Sequence, residues 1–77
     1  MTVEKAKKEL KKFGYEFVEN IEAQMTEEEW VEGNSLFCLI GDPEECTSYI
    51  REYDIETGAT RHKGLGKGCF WTNWEVA

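Results

Sequence analysis

Apolar residues recur along the 77-residue chain in three different patterns, and each pattern predicts a different element. Leu36-Phe37-Cys38-Leu39-Ile40 is the only run of five apolar residues, bounded by Gly33-Asn34 and by Gly41-Asp42-Pro43. A short unbroken run between turn residues predicts a strand over 35–40, buried on both faces or nearly so. The rest of the chain reads as cover or continuation for it. Val3, Ala6, Leu10 and Phe13 recur at i, i+3, i+7 and i+10, the single apolar stripe of an amphipathic helix running through Glu4 to Lys12. Thr2 supplies its cap and Gly14 its stop. Lys5, Lys7, Lys8, Lys11 and Lys12 occupy the other side, the last two near the negative end of the helix dipole.

Elsewhere the period is two. Tyr15, Phe17, Ile21, Ala23 and Met25 alternate with Glu16, Asn20, Glu22 and Gln24, a half-buried strand that Val18 and Glu19 interrupt. Residues 27–32 carry two readings. Thr26 and Glu29 have the spacing of a capping box, with Met25 and Trp30 as its staple, which gives a short second helix closed by Gly33. The same residues also read as a strand over 27–31 that folds back on 36–40. Cys46 to Glu56 alternates again, with Tyr49, Arg51, Tyr53 and Ile55 on one face. Thr57-Gly58 then turns the chain into a hairpin over 59–63. A final strand over 69–76 sets Trp74 beneath the helix and Trp71 on the opposite face. The expected fold is therefore α+β, with one N-terminal amphipathic helix on an antiparallel sheet of about four strands. It forms a single domain over 1–77.

Composition narrows the class. Forty per cent apolar and 32% charged residues are ordinary for a globular domain and argue against disorder. No apolar stretch approaches the ~20 residues of a membrane span, and no secretory leader heads the chain, so a cytoplasmic protein with reduced cysteines is expected. The net charge of −7 is unevenly spread, because residues 13–56 hold thirteen acids against Arg51 alone. Such a middle repels nucleic acid and suits a basic protein surface, although a merely solvated face has the same composition.

Four features carry candidate chemistry. Cys38, Cys46, His62 and Cys69 are the inventory of a Cys3His site for one structural zinc, although no pair has the two-residue knuckle spacing. The competing reading makes Cys38 a small buried hydrophobe and His62 an exposed hairpin residue. Cys69 beside His62 could form a thiol–imidazole pair, but nothing marks an oxyanion hole. Gly64, Gly66 and Gly68 with Lys67 suggest a phosphate cradle, yet the following segment is strand-like and lacks the P-loop Ser or Thr. Aromatic and basic residues interleave in 61–74, a pattern that could stack on single-stranded bases, but the acidic balance weighs against direct nucleic-acid binding.

What remains is a non-enzymatic interaction protein. Glu27, Glu28, Glu29, Glu32, Asp42, Glu44 and Glu45, in or beside turns, form a phosphate-like array suited to Lys- and Arg-rich grooves. Trp71 is the candidate anchor. In size, charge and helix-plus-sheet layout the chain resembles the small acidic phage-encoded anti-CRISPR proteins. The resemblance rests on no motif, so no family residue is carried across. It implies inhibition of a basic nucleic-acid-binding protein, a CRISPR effector nuclease, by cover of the surface that receives DNA or guide. The alternatives are a zinc-stabilised regulatory module, and a small thiol enzyme using Cys69 and His62.

Overall fold

The computed structural model describes residues 1–17, 26–41, 48–65 and 70–76. One helix, α1 (Val3–Leu10), is followed by a 3-10 turn over Lys11–Phe13. Among the described residues five strands then form a simple meander: β1 (Thr26–Glu32), β2 (Ser35–Ile40), β3 (Tyr49–Asp54), β4 (Thr60–Gly64) and β5 (Glu75–Val76). Their order in the sheet is β1-β2-β3-β4-β5, and every pairing is antiparallel. The expected α+β architecture is present. No helix among the described residues is long and apolar enough to cross a membrane.

The helix begins as its sequence dictates. Thr2 is extended, and its hydroxyl accepts a hydrogen bond from the Lys5 N–H at 3.2 Å, satisfying one orphan donor of the first turn. Gly14 ends the 3-10 turn at φ +92°, with its N–H bonded to the Lys11 carbonyl at 3.0 Å. Val3, Ala6 and Leu10 face the sheet, and Ala6 and Leu10 are fully buried. Phe13 departs from the expected stripe. The tighter 3-10 turn rotates it off that line, and its ring lies exposed over Gly58 in the turn between β3 and β4.

On β2 burial alternates. Leu36, Cys38 and Ile40 are sealed under α1, while Phe37 and Leu39 are half-buried on the reverse face. The run is thus fully buried on one side only. Cross-strand register extends the core sideways, since Leu36 stands between Val31 and Tyr53, and Ile40 stands beside Tyr49. Tyr53 is 1% exposed, and the Tyr15 and Phe17 rings meet it edge-on at 5.0 Å each.

Residues 27–32 are strand throughout, so the short second helix is corrected. A capping box supplies only local hydrogen bonds. Pairing with Leu36–Ile40 supplies a whole ladder, and Trp30 stacks on Phe37 at 5.4 Å with planes 9° apart. Register shifts between Thr26 and Glu28, leaving Glu27 as the extra residue of a bulge. The strand expected over 15–25 lies outside the described residues beyond Phe17, and Tyr15–Phe17 themselves are not strand.

The β3–β4 turn is closed by Asp54. Its carboxylate accepts from the Glu56 and Thr57 N–H groups at 2.9 and 3.1 Å, and its backbone pairs with Gly58 and Ala59. The Tyr15 hydroxyl donates to the Gly58 carbonyl at 2.6 Å, tying the chain after α1 to this turn. Gly58 sits at φ +75°, and a Cβ there would lie 2.5 Å from Cγ of Phe13. Gly33 shares a positive φ of +60° but has open space around it. Replacing Gly33 by Ala should therefore cost only the left-handed backbone penalty of about 1 kcal/mol. Gly58→Ala should cost roughly 2–3 kcal/mol, because the Phe13 ring must also give way. Urea unfolding of both variants measures the difference, and equal losses would show that Phe13 does not hold this turn.

Candidate functional site

Strand alternation sorts the glutamates of β1. Glu28 and Glu32 pair with Leu39 and Ser35 on the face away from α1, whereas Glu29 pairs with Cys38 on the helix face. There Lys7 reaches across from α1 to the Glu29 carboxylate at 2.5 Å, and its ammonium also stands 5.8 Å from the Phe17 ring centroid. Glu29 is thus a brace between helix and sheet. Glu27, Glu28 and Glu32 are exposed and make no ion pair among the described residues. The array expected in turns is, over this stretch, a strand. Asp42, Glu44 and Glu45 lie outside the described residues.

Two members of the cysteine–histidine set, Cys38 and His62, are described. Cys46 and Cys69 lie outside the described residues. Cys38 and His62 share one cross-strand row on the helix face, which runs Glu29, Cys38, Arg51, His62, Glu75 over the five strands. Two strand spacings, about 10 Å, separate Cys38 from His62, and Arg51 occupies the position between them. That separation keeps the imidazole from deprotonating the buried Cys38 thiol, and the expected pairing of His62 with Cys69 falls on a residue outside the described ones. His62 instead directs Nε2 toward the Glu75 carboxylate at 3.7 Å, a partner that attracts it only when the ring is protonated. Among the described residues no three His, Cys, Asp or Glu side chains gather as metal ligands.

Gly64 engages its neighbour rather than offering its backbone to an anion. Its N–H donates to the Thr72 hydroxyl at 3.0 Å, and its carbonyl accepts from the Thr72 N–H at 2.8 Å. Gly66, Lys67 and Gly68 lie outside the described residues.

Trp30, Phe37, Trp71 and Trp74 gather on the sheet face away from α1, where the period of two does not place Trp74. Trp74 does not lie beneath the helix. It stands 6.3 Å from Phe37, with the Arg61 guanidinium 4.5 Å and the Lys63 ammonium 4.9 Å from its ring. Trp71, 42% exposed, holds the same Lys63 ammonium at 5.7 Å, so the two indoles share a cation instead of occupying opposite faces. The physical reason is that residues 72–74 are not strand, and a period of two does not govern them. Arg61 also donates to the Glu52 carboxylate, which accepts from the Ser35 hydroxyl at 2.6 Å. The signal for this cluster was the interleaving of Arg61, Lys63, Trp71 and Trp74 itself.

No protein-family model, curated protein or solved structure matches the chain.

Burial sets the reactivity of Cys38. At 1% exposure its thiol should resist iodoacetamide in the native protein and label only on unfolding, as peptide mass spectrometry would read. Native labelling of Cys38 at the rate of an exposed cysteine would contradict the packing of α1 on β2.

Proposed function

We propose that the chain is a non-enzymatic interaction protein, acting in the cytoplasm, that binds and inhibits a basic nucleic-acid-binding protein. A CRISPR effector nuclease is the candidate target. The observation that carries this reading is the outermost strand of the described sheet, on which Glu27, Glu28 and Glu32 stand exposed without ion pairs among the described residues. The bulge at Glu27 sets neighbouring carboxylates at an angle that a regular strand would not give. Such an edge presents negative charge to a groove built for phosphate, speeds encounter, and fills the groove without any bond being made or broken. Inhibition is then competition for a surface. The alternative thiol reading pairs His62 with Cys69, which lies outside the described residues.

The test is nuclease inhibition across a salt series. Inhibition by the native chain should weaken steeply between 50 and 300 mM salt, roughly a Debye-screening range. The E27K/E28K/E32K variant should lose at least about tenfold in apparent affinity, with its melting temperature nearly unchanged. Glu29→Gln should do the reverse, keeping inhibition while removing a partly buried brace worth about 1 kcal/mol of stability. Inhibition that survives the triple reversal would remove the acidic strand from the interface.

A further inference from the structure

The sheet face away from α1 is ordered by charge as well as by hydrophobicity. Cross-strand register sets Glu28, Leu39, Ile50 and Lys63 in a single row over β1 to β4. Directly paired residues share a face, and Leu36, Cys38 and Ile40 under α1 place this row on the opposite side. Read across, it runs acid, apolar, apolar, base. The next row runs Trp30, Phe37, Glu52, Arg61. Leu39, Ile50, Trp30, Phe37 and Trp74 are all only partly buried.

We propose that this face is the interface of a homodimer, with the second copy laid sheet against sheet about a two-fold axis parallel to the strands and midway between β2 and β3. That axis exchanges β1 with β4 and β2 with β3. Glu28 of one copy then faces Lys63 of the other, and Leu39 faces Ile50, each contact made twice as an isologous interface requires. The alternative two-fold, perpendicular to the strands through this row, lays each strand on its own copy and sets Glu28 on Glu28 and Lys63 on Lys63. Like charges in direct opposition disfavour that arrangement, so the charge order selects one axis of the two. The same axis carries Trp30 of one copy toward Arg61 of the other, a cation already seated over an indole within its own chain. Glu52, which comes opposite Phe37, does not present a bare carboxylate, because Arg61 and Ser35 hold it.

Packed sheets stand about 10 Å apart with strand directions within about 30°, a spacing at which half-exposed Leu, Ile, Phe and Trp side chains interdigitate. The chain's charge of −7 opposes any self-association. Its long-range part is screened beyond ~8 Å at physiological salt, whereas the Glu28–Lys63 pairs act in contact. Single-stranded nucleic acid suits the face less well. Glu28 and Glu32 share the face with the aromatics and repel a phosphate backbone. The dimer covers Glu28 and Glu32, so a second copy and a basic partner compete for β1. Its test needs no partner and stands or falls apart from the proposed inhibition.

The experiment is sedimentation equilibrium of the native chain and of two charge reversals, E28K and K63E, alone and mixed. The native protein should reach twice the 8.9 kDa chain mass. Each variant alone places like charges in both contacts and should dimerise at least about tenfold more weakly. Their equimolar mixture pairs a copy basic on β1 and β4 with a copy acidic on both, and should recover a heterodimer, which also shows that both variants are folded. Native protein that remains at 8.9 kDa up to roughly 1 mM overturns the proposal. So does a dimer indifferent to both reversals. A monomer whose tryptophan fluorescence is quenched by oligothymidylate would assign the face to nucleic acid instead, and overturn it equally.

Discussion

Everything in this fold depends on sealing one face of β2. Leu36, Cys38 and Ile40 are each at most 1% exposed, and they are sealed because α1 lies over them with Ala6 and Leu10 at the contact. A slip of one residue in the pairing of β2 would exchange this row for Phe37 and Leu39 and leave α1 over the wrong set. Burial therefore fixes the register, and register fixes the position of every other side chain on the sheet. Val31 and Tyr53 flank Leu36, Arg51 falls beside Cys38, and Glu28 falls beside Leu39 as consequences of that one choice.

The two faces that result have different chemistry. On the helix side a polar row, Glu29 to Glu75, crosses an otherwise apolar surface. Lys7 secures its first member from above, and Glu75 meets His62 at the far end. This row holds charges that a chain of this size has little room to bury, and it keeps them near the sheet's margins, with Arg51 the exception at the centre. On the other side no helix covers the sheet among the described residues. Stacked rings and cations over Trp74 cover part of it, and the acids of β1 border it. In the reading proposed above, an acidic outer strand beside an aromatic centre forms the binding surface, and charge order across it selects the orientation of the partner.

Much of this was legible in the residues. The apolar stripe of Val3, Ala6 and Leu10, the Thr2 cap, the Gly14 stop, and the strands over 35–40, 49–54 and 60–64 follow from local periodicity and turn chemistry. These signals act over a few residues, so the sequence states them directly. The α+β class follows from their order. The acidity of residues 27–32 was equally plain, and so was the interleaving of cations with aromatics near the C-terminus.

Only the tertiary structure decided which of these residues act together. Residues 27–32 carry both a capping box and a strand pattern, and nothing local separates the two. The free edge of β2 and the Phe37 ring, reached through the turn at Gly33, tip the balance to strand. That outcome in turn divides the glutamates, sending Glu29 to Lys7 and leaving Glu27, Glu28 and Glu32 exposed. Trp74 escapes the period of two because residues 72–74 are not strand. Its position follows from Phe37, Arg61 and Lys63, residues 37, 13 and 11 positions away in sequence. Likewise the spacing of Cys38 and His62 says nothing of Arg51, which register alone sets between them. Periodicity determines which way a side chain points along its own strand, while its neighbours across the sheet are chosen by a burial condition that involves the whole chain at once.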